Sequence, residues 1–302
     1  MNYTLHQLRI YVKVCELQSI TKASEALYLT QPAVSIQLKK LQDEFEIPLT
    51  EVIGRQLYVT EFGNRIRELA LDILGAVDRI EAATDQYKGI LTGTIRIASA
   101  STGKYVIPYF LTGFMRQHPG VTIAIDVTNK TQVVESLQEN SVDFAMVSVI
   151  PQNLKLSAVP LMNNELYLVA ASDYPDLPKR MTPKKLEAHT LIFREKGSAT
   201  RSAMQQYLNQ QEVNVRRSMQ LVSNEAVKQA VRAGLGLSIM PRIGIRTELL
   251  LENMKILPIK GLPIITQWNL AYSSGKQLSP AGQALVDYIE LNKEAITARH
   301  FS

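Results

Sequence analysis

The chain has 302 residues, a length that suggests two domains or one large one, and 46% of them are hydrophobic, enough for a substantial core. Its single cysteine, Cys15, rules out a disulfide framework within the chain, and the start MNYTLHQLRIYVKVC lacks the basic and then unbroken apolar pattern of a signal peptide; a cytoplasmic protein is expected, with no membrane contact. Net charge is +5, but residues 1–90 hold 10 Lys and Arg against 12 Asp and Glu, so any nucleic-acid contact there must come from the local placement of cations and not from bulk charge.

In chain order, Leu5, Leu8, Val12 and Cys15 recur at helical spacing and predict a first helix over 5–17. Ser19 can cap a short second helix through Leu27, and the small Ala23 and Ala26 permit close helix contact. Leu29-Thr30 makes the turn. Thr30 can cap a third helix, and Pro32 is tolerated in its first turn because the N–H groups there have no intrahelical partner. On that helix Val34, Leu38, Leu41 and Phe45 form one apolar stripe. The opposite face carries Pro32, Ala33, Ser35, Ile36, Lys39 and Lys40, with Gln31 at the tip. Such a tip fits a major groove about 12 Å wide: Gln31 can pair with adenine edges, Ala33 or Ile36 can touch thymine methyls, and the lysines can reach phosphates. Residues 51–63 read as a small hairpin turning at Gly54-Arg55, which places Arg55 for a phosphate or the minor groove. A helix with a polar face is also what any solvated helix looks like, so the faces alone leave both readings open.

The residues Leu8, Ser19-Ile20-Thr21-Lys22-Ala23, Leu27, Gln31-Pro32-Ala33-Val34-Ser35, Gln37-Leu38, Leu41, Leu49, Arg55, Thr60 and Gly63 match, position by position, the DNA-binding domain of LysR-type transcriptional regulators, and the run TQPAVSIQLKKL is highly specific for that family. The resemblance implies a winged helix-turn-helix over 1–59 contacting double-stranded DNA through Thr30, Gln31, Pro32, Ala33, Ser35, Ile36, Gln37, Lys39, Lys40 and Arg55. It implies an imperfect inverted repeat as the target and RNA polymerase as a further partner. Three positions depart from the pattern: Gln42 stands for Glu, Glu46 for Gly, which removes a favoured helix-ending residue, and Thr50 for a Phe that packs the wing.

Residues 60–89 are predicted as one long linker helix capped by Thr60. Ile66, Ala70, Ile73, Val77, Ile80, Thr84 and Tyr87 alternate at spacings of four and three, a heptad seam suited to dimerisation, although an amphipathic helix lying on its own domain is the alternative. The resemblance favours pairing, and a homotetramer built as a dimer of dimers.

From residue 90 the texture becomes α/β. Strand patterns at 94–99, 121–127, 143–149, 165–171, 191–193, 217–222, 236–241 and 267–273 alternate with helical patterns at 104–117, 131–140, 200–210, 224–233 and 280–296, which predicts a mostly parallel sheet. TIRIASAS, FREKGSATR, NEAVKQAVRAGLGLSIMP and LSPAGQALVDYI extend the resemblance to the C-terminus. It implies a two-subdomain regulatory domain over 90–302, like a type 2 periplasmic binding protein. Subdomain I would span 91–165 and 270–302, subdomain II 166–269, and two crossing strands would join them. Ligands in open α/β sheets sit beyond strand C-termini, often at helix N-termini. On that ground Ser99, Ser101 and Thr102 after one strand, Asn129 and Ser148 after two others, and Ser198, Thr200 and Arg201 after a fourth are candidate effector-binding residues. Arg201 would bring a fixed charge for a carboxylate or phosphate. Hydroxyls at helix starts are also ordinary caps, and Arg201 is also readable as a surface arginine. The GSATR segment resembles regulators of carbon-fixation operons, which sense phosphorylated or acidic metabolites.

No HExxH, GxSxG, Walker A or GxGxxG pattern is present, and four scattered histidines with one cysteine form no catalytic or metal cluster. Neither an enzyme nor a secreted solute-binding protein is therefore expected, and no cofactor or metal. The expectation is a transcription regulator whose DNA binding responds to a small anionic metabolite.

Overall fold

The computed structural model describes residues 2–54, 56–87 and 91–301, with side chains 81–87 outside the description. It divides into two compact units, residues 1–93 with 139–141, and residues 94–138 with 142–302.

The first unit opens with α1 (Leu5–Leu17), held by a capping box in which Thr4 and Gln7 satisfy each other's backbone N–H. Ser19 caps α2 (Ile20–Ala26) and Thr30 caps α3 (Gln31–Gln42), as their hydroxyls suggest. The hairpin β1 (Thr50–Ile53) and β2 (Gln56–Val59) pairs Ile53 with Gln56, leaving a two-residue turn that Gly54 enters at φ 58°. Then α4 runs from Glu61 to Tyr87. Ile10, Tyr11, Val34, Leu41 and Leu49 are fully buried between these elements, and Ala70 and Ile66 of α4 pack on the same core. Burial of each such aliphatic side chain is worth about 1.5–3 kcal/mol.

In the second unit, β3 (Gly93–Ala100) leads through a one-turn 3-10 segment at Gly103–Tyr105 to α5 (Ile107–Gln117), then β4 (Val121–Thr128), α6 (Lys130–Gln138) and β5 (Phe144–Val147). The long β6 (Leu156–Ala171) follows, then β7 (Thr190–Arg194), α7 (Ala199–Gln210), β8 (Arg217–Leu221), α8 (Asn224–Arg232), β9 (Ser238–Pro241), α9 (Arg246–Leu250) and β10 (Met254–Ile256). The closing elements are β11 (Ile264–Ser273) and α10 (Pro280–Phe301).

The sheet is mixed, which corrects the mostly parallel expectation. Its order is β10-β6-β11-β5-β3-β4, with β9 also on β6. β3 with β5 and the separate pair β7 with β8 run parallel; β6 with β11, β9 and β10, and β5 with β11, run antiparallel. The cause is that β6 and β11 run side by side, paired from Leu156 with Ser273 to Leu166 with Ile264 with a register shift between Trp268 and Asn269. Separate apolar cores lie to either side. One is built on Val133, Leu137 and Val147, the others on Leu186, Leu208 and Leu237 and on Val169, Val227 and Val231. Two halves joined by two crossing strands follow from this arrangement.

Candidate functional site

Two regions collect the candidate residues, one in each unit. In the first, α3 buries Val34, Leu38 and Leu41 and leaves Gln31, Pro32, Ile36, Lys39 and Lys40 exposed, with Ala33, Ser35 and Gln37 at the margins. Thr30 is spent on the cap, its hydroxyl accepting from Ala33 N at 3.4 Å. What remains is a short-chained helix tip followed by two lysines about two turns along, on a helix anchored by its other face. Arg55 lies outside the described residues, but the strand leading to it carries exposed Val52 and Ile53.

Sequence reasoning did not find what fixes α3 to the hairpin. Gln42 bridges them: its Oε1 accepts from Leu49 N at 2.6 Å and its Nε2 donates to Ile47 O at 3.3 Å. A glutamate there could accept but not donate. Thr60 ties α4 to the same loop, donating to Pro48 O at 2.7 Å and accepting from Gly63 N at 2.9 Å. A Cβ on Gly63 would lie 2.0 Å from Leu49 O, so only glycine fits. Tyr11 donates to Gly63 O at 2.7 Å, and burial pushes its phenol pKa up. Burial likewise pushes the Cys15 thiol up to about 11, so at neutral pH Cys15 is a protonated core residue and no nucleophile.

In the second unit four strand ends gather. Because β3 and β5 are parallel, Ser99 near the end of β3, Ser101 and Thr102 after it, and Ser148 after β5 lie at the same end of the sheet. Asn129 follows β4, and its amide caps α6, accepting from Gln132 N at 3.1 Å. From the other half come Ser198, Thr200 and Arg201 after β7. The two halves meet at named atoms: Arg194 Nη2 donates to Ser101 Oγ at 2.9 Å, and Asn224 Nδ2 lies 3.5 Å from Tyr105 Oη. Gly197, at φ 87°, approaches so closely that a Cβ would lie 2.7 Å from Thr131 Oγ1.

The individual roles differ from expectation. Ser99 is fully buried and its hydroxyl is turned to Ala100 O. Ser198 caps α7. Thr102 and Thr200 are buried beside the two loops, and Thr102 makes no capping bond. The segment after Thr102 is a single 3-10 turn and not the start of an α-helix, so the helix N-termini at this region are those of α7 and of α6, which Asn129 caps. Arg201 is engaged within its own half: Nη1 donates to Arg194 O and to Gln220 Oε1, both at 2.7 Å, and the guanidinium lies 5.5 Å from the Phe193 ring centroid. The charge at the junction is instead Arg194, 4% exposed. Its signal in the sequence was a charged residue closing the apolar strand LIF, where strand C-termini meet ligands. Among the described residues no three His, Cys, Asp or Glu are placed to hold a metal, and no helix is long and apolar enough to cross a membrane.

Comparison with known proteins accounts for both regions. Residues 5–64 match the model of the bacterial regulatory helix-turn-helix protein, lysR family, and residues 88–292 match the LysR substrate binding domain. The chain is 38% identical over 290 residues to a RuBisCO operon transcriptional regulator of Allochromatium vinosum, covering 96% of each. It is 34% identical over 297 residues to the HTH-type transcriptional activator CmpR of Synechocystis sp. (strain ATCC 27184 / PCC 6803 / Kazusa), covering 98% of each. Among solved structures it resembles the Synechocystis PCC6803 CcmR regulatory domain in complex with 2-PG, at a TM-score of 0.62 and 34% identity, covering 69% of this chain and 98% of that one.

Proposed function

This chain belongs to the LysR family of bacterial transcriptional regulators, and we propose that it controls transcription in response to a small organic phosphate held between the two halves of its α/β unit. The observation that carries the effector reading is Arg194, a buried guanidinium at the seam of the halves whose Nη2 already reaches Ser101 across it. Ser101 accepts that bond and keeps its own proton to donate. The first-turn N–H groups of α7 add a partial positive charge. The CcmR regulatory domain, similar over the same region, is recorded with 2-PG, 2-phosphoglycolate, and a phosphate with a carboxylate suits Arg194, Ser101 and the start of α7.

On the DNA side, α3 enters the major groove, with Gln31, Ala33, Ser35 and Ile36 at base edges, Gln37, Lys39 and Lys40 toward phosphates, and Arg55 on the backbone or in the minor groove. The protein acts in the cytoplasm, catalyses no reaction and needs no cofactor beyond its effector. It assembles through α4, since two recognition helices about 34 Å apart read two half-sites of an inverted repeat. Effector and assembly are linked: a ligand touching both halves shifts the equilibrium between their arrangements by its differential affinity for them.

The test is a thermal shift of the full-length chain. A ligand that binds only the native state raises the melting temperature, by an amount set by RT ln(1 + [L]/Kd). 2-Phosphoglycolate is expected to raise it in a saturable way while neutral glycerol does not. Equal shifts for both, or none for either, contradict the reading.

A further inference from the structure

Arg194 is not bare. Its Nε donates to Glu195 Oε2 and its Nη2 to Glu195 Oε1, each at 2.8 Å, a bidentate pair along one edge of the guanidinium. The same Nη2 holds Ser101 Oγ at 2.9 Å, so the Glu195 carboxylate and the opposing loop share one nitrogen. Among the described residues Nη1 has no hydrogen-bond partner, although the side chain is 4% exposed. A guanidinium has five donors. Three are engaged here, and the remaining two are those of Nη1.

A buried arginine needs a counter-ion, and Glu195 on that account is only structural. Its position argues for more. It does not sit behind Arg194 in the apolar core but covers the bidentate edge that a carboxylate or phosphate would take, next to the cross-half bond. Its own exposure, 16% of the side chain, shows that it retains access to water, where a displaced carboxylate could go.

We propose that Glu195 is a built-in stand-in for the effector's anionic group, occupying Arg194 while the cleft is empty and yielding to a ligand anion when it binds. This rests on the reading that the cleft takes an anion. Being one residue away, Glu195 competes as a tethered ligand with a high effective concentration. A free monocarboxylate offers Arg194 the same group without the tether and loses. A phosphate carries ≈ −1.5 to −2 charge near neutral pH and three acceptor oxygens, enough to take the Nε and Nη2 edge from Glu195 and to bond Ser101 as well. Glu195 thus sets a threshold that cellular monocarboxylates do not cross, and every effector molecule bound frees one carboxylate at the junction of the halves.

The test compares the full-length chain with Glu195→Gln, which keeps the size and removes the charge. Calorimetric titration with 2-phosphoglycolate is expected to show the variant binding about tenfold tighter or more, with glycolate binding rising from negligible to measurable. Without anions the variant should melt below the parent, because Arg194 is left without a counter-ion, and inorganic phosphate should restore the melting temperature. Unchanged or weaker binding of 2-phosphoglycolate overturns the stand-in role, as does a variant that inorganic phosphate fails to rescue. If the parent binds no anion but Glu195→Gln does, the stand-in holds and 2-phosphoglycolate as effector falls. If neither binds any, both fall.

Discussion

At the scale of single residues, Tyr28 shows how a backbone requirement and a side chain can disagree. It closes α2 in a left-handed conformation, φ 55°: Tyr28 N donates to Glu25 O at 3.2 Å and Leu29 N to Ser24 O at 2.9 Å. That bond pair is the helix-ending motif that usually carries glycine at the left-handed position, because a Cβ is strained there. The Tyr28 ring is 96% exposed, so little packing offsets the strain. Tyr28→Gly is expected to stabilise the helix-turn-helix by about 0.5–1 kcal/mol, relieved strain outweighing the added flexibility of the unfolded chain. Urea unfolding followed by circular dichroism checks this, and a lower midpoint for the variant would show that the ring has a partner worth more than the strain.

Among the elements, α4 is where periodicity and packing have to be separated. Of the seven seam positions, Ile66 and Ala70 face the core of their own domain, Ala70 being 1% exposed. Further along, Ile73 is 39% and Ile80 67% exposed, with Leu69 exposed one turn earlier and Val77 at the margin. The Thr84 and Tyr87 side chains lie outside the described residues. The start of the seam thus packs on its own domain, and the later part offers an exposed apolar strip that pairing would cover. Ile73→Glu, at an exposed site, is expected to change the stability of the single domain by no more than about 0.5 kcal/mol. At the seam it would bury a charge, and sedimentation should find monomers where the parent forms dimers or larger assemblies. Identical sedimentation of both proteins would place the interface elsewhere. The helices of the first unit were legible because caps and 3.6-residue spacing are local signals. The length of β6 was not: its pattern is readable only over 165–171, and the strand starts as early as Leu156 because β11 pairs with it from Leu156 to Leu166. Likewise β10, three residues long, exists by pairing with the end of β6 and has no periodicity to read.

At the scale of the whole molecule, the candidate effector loops were legible as small, hydroxyl-bearing segments after strands, but the residue carrying their charge was not. Arg201 stands out in the sequence because it follows GSAT, yet its guanidinium is held by Arg194 O and Gln220. Arg194 hides between an apolar strand and a glutamate that cancels it, and only the fold reveals that its other neighbour is Ser101, 93 positions away. The central claim is that one chain couples anion binding at this junction to sequence-specific DNA binding. Fluorescence anisotropy tests it directly, using the full-length chain on a duplex selected from a random pool, titrated with 2-phosphoglycolate, beside Arg194→Gln and Ser101→Ala. The parent is expected to prefer the selected duplex over random DNA and to change its affinity when 2-phosphoglycolate is added. Both variants should bind the duplex without ligand, and their response should be lost in Arg194→Gln and weakened in Ser101→Ala. A parent that binds the duplex identically with and without 2-phosphoglycolate, or an Arg194→Gln variant that responds as the parent does, would contradict the account.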